Sequence, residues 1–128
     1  MTNSIKSHKY SDTYVKNLID SDFRINNGKV FVKQSVFKGN AGLVKFYANW
    51  CPHCNDMIEG LSFLAENLNK YDISIGAVDS DTQHKVANTL GVEALPTLFL
   101  VKKNGRLMPY HGLTDVETLL DEIIEFSS

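Results

Sequence analysis

Cys51 and Cys54 are the only cysteines among 128 residues, and they stand three apart in Trp50-Cys51-Pro52-His53-Cys54. That spacing puts both sulfurs within one helical turn, where they can close a small disulfide ring and open it again. The reactive species is the thiolate, so one of the pair must lose its proton near neutral pH. Cys51 falls where an apolar run gives way to a helical pattern, and the free N–H groups of a helix start favour an anion. Pro52 suits the first helical turn because its missing N–H has no intrahelical partner there. A protonated His53 would add positive charge beside Cys51. Together such effects lower a thiol pKa from about 8.5 to roughly 3.5–7.5. Whatever favours the Cys51 thiolate stabilises the reduced form and makes the disulfide a stronger oxidant. Cys54, one turn further in, is expected to be less exposed and to act as the resolving thiol. The competing uses of the pair are inert buried thiols or a structural zinc site. Zinc takes about four ligands and only His53 stands close by, so no metal is expected.

The elements that must position this pair are legible from residue 42 onward. Leu43-Val44-Lys45-Phe46-Tyr47-Ala48 is a nearly continuous apolar run, the mark of a strand buried on both faces. After the cysteines, Met57, Ile58, Leu61, Leu64, Ala65 and Leu68 share one helical face. Ile73 to Val78 reads as a second strand, and Asp81 to Leu90 as a short helix that Gly91 ends in a left-handed cap. Thr97 to Val101 and Leu107 to His111 flank Asn104-Gly105, a strong hairpin signal. Thr114 and Glu117 form a capping box ahead of an apolar stripe through Val116, Leu119, Leu120, Ile123 and Ile124. The order β-α-β-α-β-β-α implies an α/β fold, a central sheet with helices on both faces. Residues 14 to 40 add an N-terminal extension. Val15 to Ile19 reads as an edge strand, and Asn27-Gly28 turns a hairpin between Phe23-Arg24-Ile25 and Val30-Phe31-Val32. A helix from about Asp20 is the competing reading. Residues 1–13 are polar and read as a loose tail, leaving 14–128 as a single domain.

Composition narrows the function classes. A chain of this length with 43% hydrophobic and 22% charged residues can bury a core of its own. A net charge of −2 leaves no basic footprint for nucleic acid. No apolar run approaches a membrane span, so no membrane partner is expected. Met1 to Asp20 has no apolar secretory core, and two cysteines are not a disulfide framework. The expected compartment is therefore a reducing one, the cytoplasm. Eleven lysines against two arginines, with eleven asparagines, fit an AT-rich genome such as that of a parasite or a large DNA virus. For a viral chain the expectation widens to the virion or the host cytosol.

The chain resembles the thioredoxin-like superfamily, and within it the domains of protein disulfide isomerases. The resemblance rests on Leu43 to Cys51, on Val78-Asp79, on Gly91-Val92-Glu93-Ala94-Leu95-Pro96-Thr97 and on Asn104-Gly105. It covers roughly residues 40 to 126 in order and spacing, and it implies a thioredoxin fold. Three positions depart from it. Family members carry a buried acid six residues before the first cysteine, where this chain has Lys45. The lysine that many isomerase domains place two residues before the Asp of the next strand is Ala77. The proline five residues after the second cysteine is Glu59. Between the cysteines, Pro52-His53 is similar to strongly oxidising bacterial periplasmic oxidases, whereas the frame around it is similar to disulfide isomerases.

The resemblance implies a protein dithiol–disulfide oxidoreductase that works through a mixed disulfide, with Cys51 as nucleophile. It implies cysteine-containing protein substrates and a thiol or disulfide electron partner, namely a reductase, glutathione or a sulfhydryl oxidase. No cofactor is expected beyond the Cys51–Cys54 disulfide itself. It also implies a cis bond before Pro96, facing the cysteines. Trp50, Ala94, Leu95 and Pro96, with Gly112, would then form a shallow apolar groove for extended backbone. Lys45 has two chemical readings beside a plain one, in which it only snorkels to solvent or pairs with a local acid. Buried and neutral, it would accept the proton of Cys54; charged, it would favour the thiolates. His8, His84, His111 and Glu93 read as solvated surface. In the alternative of a different class, the chain is a binding module that docks partners through the Trp50/Pro96 groove, with its thiols incidental.

Overall fold

The computed structural model describes Tyr10 and residues 14–128; the tail expected over 1–13, Tyr10 apart, lies outside the described residues, as does His8. Seven strands and five helices follow in chain order. They are β1 (Lys16–Leu18), β2 (Phe23–Asn26), β3 (Lys29–Val32), α1 (Gln34–Phe37), β4 (Ala41–Tyr47), α2 (Pro52–Asp56) and α3 (Ile58–Leu68). After these come β5 (Ile73–Asp79), α4 (His84–Thr89), β6 (Thr97–Val101), β7 (Leu107–Tyr110) and α5 (Val116–Ser127). Five strands form one mixed sheet in the order β1-β5-β4-β6-β7, and β2 and β3 form a separate hairpin. β4 is central, parallel to β5 and antiparallel to β6.

All seven residues of β4 are buried, as its apolar run predicts. Side-chain alternation divides the core in two. Leu43 and Tyr47 join Ile73, Ile75, Ala77, Leu98 and Leu100 beneath α2, α3 and α5. Val44 and Phe46 join Val78, Phe99 and Val101 beneath α1, α4 and the β2–β3 hairpin. Lys45 alternates with Val44 and Phe46, so it faces the layer that carries the cysteines. Gly42 has to be glycine, because a Cβ there would run into the Ser74 carbonyl of the neighbouring strand.

The N-terminal extension is integrated into this frame. β1 pairs in parallel with β5 at the sheet edge. Asn27 and Gly28 both take positive φ, 53° and 76°, as a two-residue hairpin turn between β2 and β3 requires. The competing helix from Asp20 is reduced to one 3₁₀ turn over Asp20–Asp22. Two helix starts differ from the sequence reading. α5 is capped by Asp115, whose carboxylate accepts from the Thr118 N–H, and Thr114 stays in the preceding loop. α4 begins at His84 instead of Asp81, because Thr82 and Gln83 turn back to donate to the Asp79 carbonyl. Its N-terminal cap comes from far along the chain: Asp20 accepts from the Val86 N–H at 2.9 Å and the Lys85 N–H at 3.4 Å.

Candidate active site

Cys51 ends the segment after β4 in extended geometry, with φ −85° and ψ 112°, and caps α2. Pro52 opens the helix and the Asn55 N–H donates to the Cys51 carbonyl at 3.0 Å. The Cys54 N–H donates to Cys51 Sγ at 3.2 Å. A donor of the first turn is thus already aimed at the sulfur that would carry negative charge on reduction. Cys51 and Cys54 are joined in a disulfide. Both are buried, Cys54 slightly more than Cys51 at 1% against 3% exposure. The helical stripe continues from α2 into α3 across a break at Met57. The chain breaks there without a proline at residue 59.

Lys45 lies directly behind this pair. It is fully buried, and its Nζ donates to the Cys54 carbonyl at 2.6 Å and to the Tyr10 hydroxyl at 2.5 Å. The same Nζ lies 5.2 Å from the Tyr10 ring centroid and 5.8 Å from that of Tyr47, within reach of a cation–π attraction. The two rings meet edge to face at 5.9 Å. Burial pushes the Tyr47 phenol up to about 12, with Asp79 adding to the rise. Burial likewise raises Tyr10, with Tyr47 as the lesser cause. Sequence reasoning missed Tyr10 altogether: a lone aromatic in a polar stretch has no periodicity to place it.

His53 is exposed, and its Nε2 lies 3.4 Å from Thr114 Oγ1. Two hollows of about 500 Å³ adjoin there, with Thr114 lining both. One runs between His53, Asp56, Gly60 and Val116. The other is lined by Ala94, Pro96, Tyr110, His111 and Gly112. Leu95 turns inward and packs against the core of both faces, and the Leu95–Pro96 bond is cis. The Thr97 hydroxyl donates to the Ala94 carbonyl and closes the loop ahead of β6. Trp50 does not join this hollow. It is 67% exposed and its indole N–H donates to Asp81 at 3.3 Å, so the groove expected to combine it with Ala94 and Pro96 is divided. His84, His111 and Glu93 are exposed. Among the described residues no cluster of three metal-ligating side chains occurs, and no helix is long and apolar enough to cross a membrane.

The central strand of the sheet and the cysteine pair at the start of the helix after it fall within residues 25–125, which the thioredoxin family model matches. The chain belongs to the thioredoxin family. It is 33% identical over 97 residues to protein disulfide isomerase-like 1-3 of Oryza sativa subsp. japonica, covering 74% of this chain and 17% of that protein. It is 32% identical over 92 residues to protein disulfide-isomerase A6 of Homo sapiens, covering 71% and 21%. The chain therefore spans about a fifth of the length of these relatives. Among solved structures, the J-Trx1 fragment of ERdj5 superposes with a TM-score of 0.72 at 22% identity, over 91% of this chain and 54% of that one. A mutant thioredoxin from Halobacterium salinarum superposes with a TM-score of 0.66 at 24% identity, over 92% and 96%. Both show the same fold. Lys45, the cysteines and Pro96 fall inside the matched thioredoxin segment, and Tyr10 precedes it.

Proposed function

We propose that this thioredoxin domain is a thiol–disulfide oxidoreductase acting on cysteine side chains of other proteins. The observation that carries the reading is the Cys51–Cys54 disulfide at the start of α2, with a backbone N–H already donating to Cys51 Sγ. In the reducing direction the Cys51 thiolate attacks one sulfur of a substrate disulfide. The substrate S–S bond breaks, a Cys51–substrate disulfide forms, and the other substrate sulfur leaves as a thiolate that takes up a proton. Cys54 then loses its proton and attacks Cys51 Sγ. The ring disulfide re-forms and the second substrate thiol departs. Two electrons pass to the substrate, and a thiol partner restores the dithiol. The oxidising direction reverses every step.

The site residues divide this work. Pro52 fixes the first turn so that the N–H groups after it face Cys51. His53, one residue before Cys54 and open to solvent, stands at the outer edge of the site beside Thr114. Ala94 and Pro96 bound the hollow on the far side, and Leu95 between them turns into the core just ahead of the β6 ladder, which begins at Thr97. An extended substrate segment can use that backbone. Exposed Trp50 offers an apolar surface on the other flank. Lys45 acts on Cys54 as an ammonium. Two short hydrogen bonds to oxygen and two ring contacts support the charged form.

The test separates nucleophile from resolving thiol. With a disulfide-bonded protein such as insulin, Cys54→Ser should accumulate a covalent adduct that a reductant removes, and Cys51→Ser should form none. If the double serine variant retains the full biological activity of the chain, the fold is serving as a binding module and the proposal fails.

A further inference from the structure

We propose that the segment ahead of β1 is a working part of the active site: Tyr10 is a positioning residue that holds Lys45 behind Cys54. The inference rests on the oxidoreductase reading and extends it to residues that precede the stretch matched by the thioredoxin family. Three contacts carry it. The Tyr10 hydroxyl accepts from Lys45 Nζ at 2.5 Å, and the same Nζ donates to the Cys54 carbonyl at 2.6 Å. The Tyr10 ring stands edge to face on Tyr47, the residue two positions along β4 from Lys45. Tyr10 keeps only 1% of its surface exposed, and Val15, just ahead of β1, is buried in the same cluster.

The consequence follows from geometry. A lysine side chain has four rotatable bonds and explores many rotamers unless something fixes its end. The oxygens that hold it include one from the cysteine helix and the hydroxyl of Tyr10. Among the described residues, the titratable residues in contact with the ammonium are Tyr10, Tyr47 and, through its carbonyl, Cys54, with Asp79 acting on the Tyr47 phenol from the end of β5. Of these, Cys54 is the one whose proton must leave for the mixed disulfide to resolve. Losing the Tyr10 oxygen weakens the hold on the positive charge next to that proton. The N-terminal segment therefore governs how readily the second thiol deprotonates, and leaves the attack by Cys51 unaffected.

Reaction of the reduced full chain with a chromogenic aromatic disulfide separates the two steps. The first equivalent of thiolate is released when Cys51 attacks, and the second when Cys54 resolves the adduct. Tyr10→Phe keeps the ring and its contact with Tyr47 but removes the oxygen. It should leave the first phase unchanged, slow the second about threefold or more at neutral pH, and move its pH midpoint upward. In a Lys45→Met background the same substitution should have no further effect on the second phase. The inference is overturned if folded Tyr10→Phe resolves with the wild-type rate and midpoint, or if its effect is the same with and without Lys45. A wild-type chain that releases no thiolate at all would refute the oxidoreductase reading. Release that is blind to Tyr10 refutes only the positioning role.

Discussion

Replacing Lys45 with Met keeps an unbranched side chain one atom shorter and removes its charge, and the size of the effect on Cys54 can be worked from the geometry. Nζ lies 2.6 Å from the Cys54 carbonyl oxygen. Covalent geometry keeps that residue's own Sγ within about 5 Å of the oxygen, so Nζ and Sγ are at most roughly 7.6 Å apart. At an effective dielectric constant of about 20, a unit charge at that distance stabilises a thiolate by about 2.2 kcal/mol, or roughly 1.6 pKa units. Lys45→Met should therefore raise the Cys54 pKa by about that much or more. Well below the midpoint, the thiolate fraction falls about 40-fold. The more basic thiolate is intrinsically the better nucleophile, by about 5-fold for a Brønsted coefficient near 0.45. The net expectation is resolution slowed about 8-fold at neutral pH, a midpoint shifted to higher pH, and a faster plateau at alkaline pH. Stopped-flow release of the second thiolate, recorded against pH, reads all three quantities. A folded Lys45→Met protein with an unchanged midpoint would refute the reasoning, since no placement of the charge consistent with the carbonyl contact leaves Cys54 indifferent to it.

Two further outcomes test the frame around the site. Asp20→Ala removes the acceptor that caps α4 through the Val86 and Lys85 N–H groups; it should cost about 1 kcal/mol of stability in urea melts while thiolate release stays unchanged. The Tyr47 phenol, pushed up to about 12 from 10.0 by burial, binds its proton more tightly folded than unfolded. The stability this contributes is whole below pH 10 and is lost as pH climbs through about 12. Tyr10 shifts in the same direction. Phenolate absorbance should therefore rise together with loss of folded circular dichroism across that window, and Tyr47→Phe should weaken the alkaline loss.

The parts of the fold that were legible are those where one residue pattern admits one structure. The β4 run has no polar face to offer solvent, so it could only be a central strand. Asn27-Gly28 supplies two residues tolerant of positive φ where a tight hairpin needs both. The helix starts were less legible, because a cap is a contest between neighbours. Thr114 and Asp115 both carry suitable oxygens, and the choice fell to Asp115, whose carboxylate reaches the Thr118 N–H. At α4 the cap is Asp20, more than sixty residues away in sequence. No local pattern encodes such a partner.

The site divides along the same line. Cys51, Pro52, His53 and Cys54 are contiguous, so their meeting at the start of α2 was legible from spacing and the helix pattern that follows. Ala94 and Pro96 meet in one hollow with Tyr110 and Gly112 because β6 and β7 carry them to the same end of the sheet. Trp50 is adjacent to Cys51 in sequence, yet its indole turns toward Asp81, and chain adjacency gave no hint of that. Lys45 was visible as a charge in an apolar strand, but its surroundings were not, since Tyr10 comes from a segment without periodicity. A buried ammonium is tolerated only where oxygens and ring faces compensate for lost water. A lysine at that position therefore requires a matching set of neighbours. An acid there would require a different set: the Cys54 carbonyl can only accept and would repel it, whereas the Tyr10 hydroxyl could turn to donate to it. The Tyr10 hydroxyl and the Cys54 carbonyl are acceptors suited to a cation. Lys45 and Tyr10 are therefore one matched set, the lysine from the central strand and the tyrosine from ahead of β1.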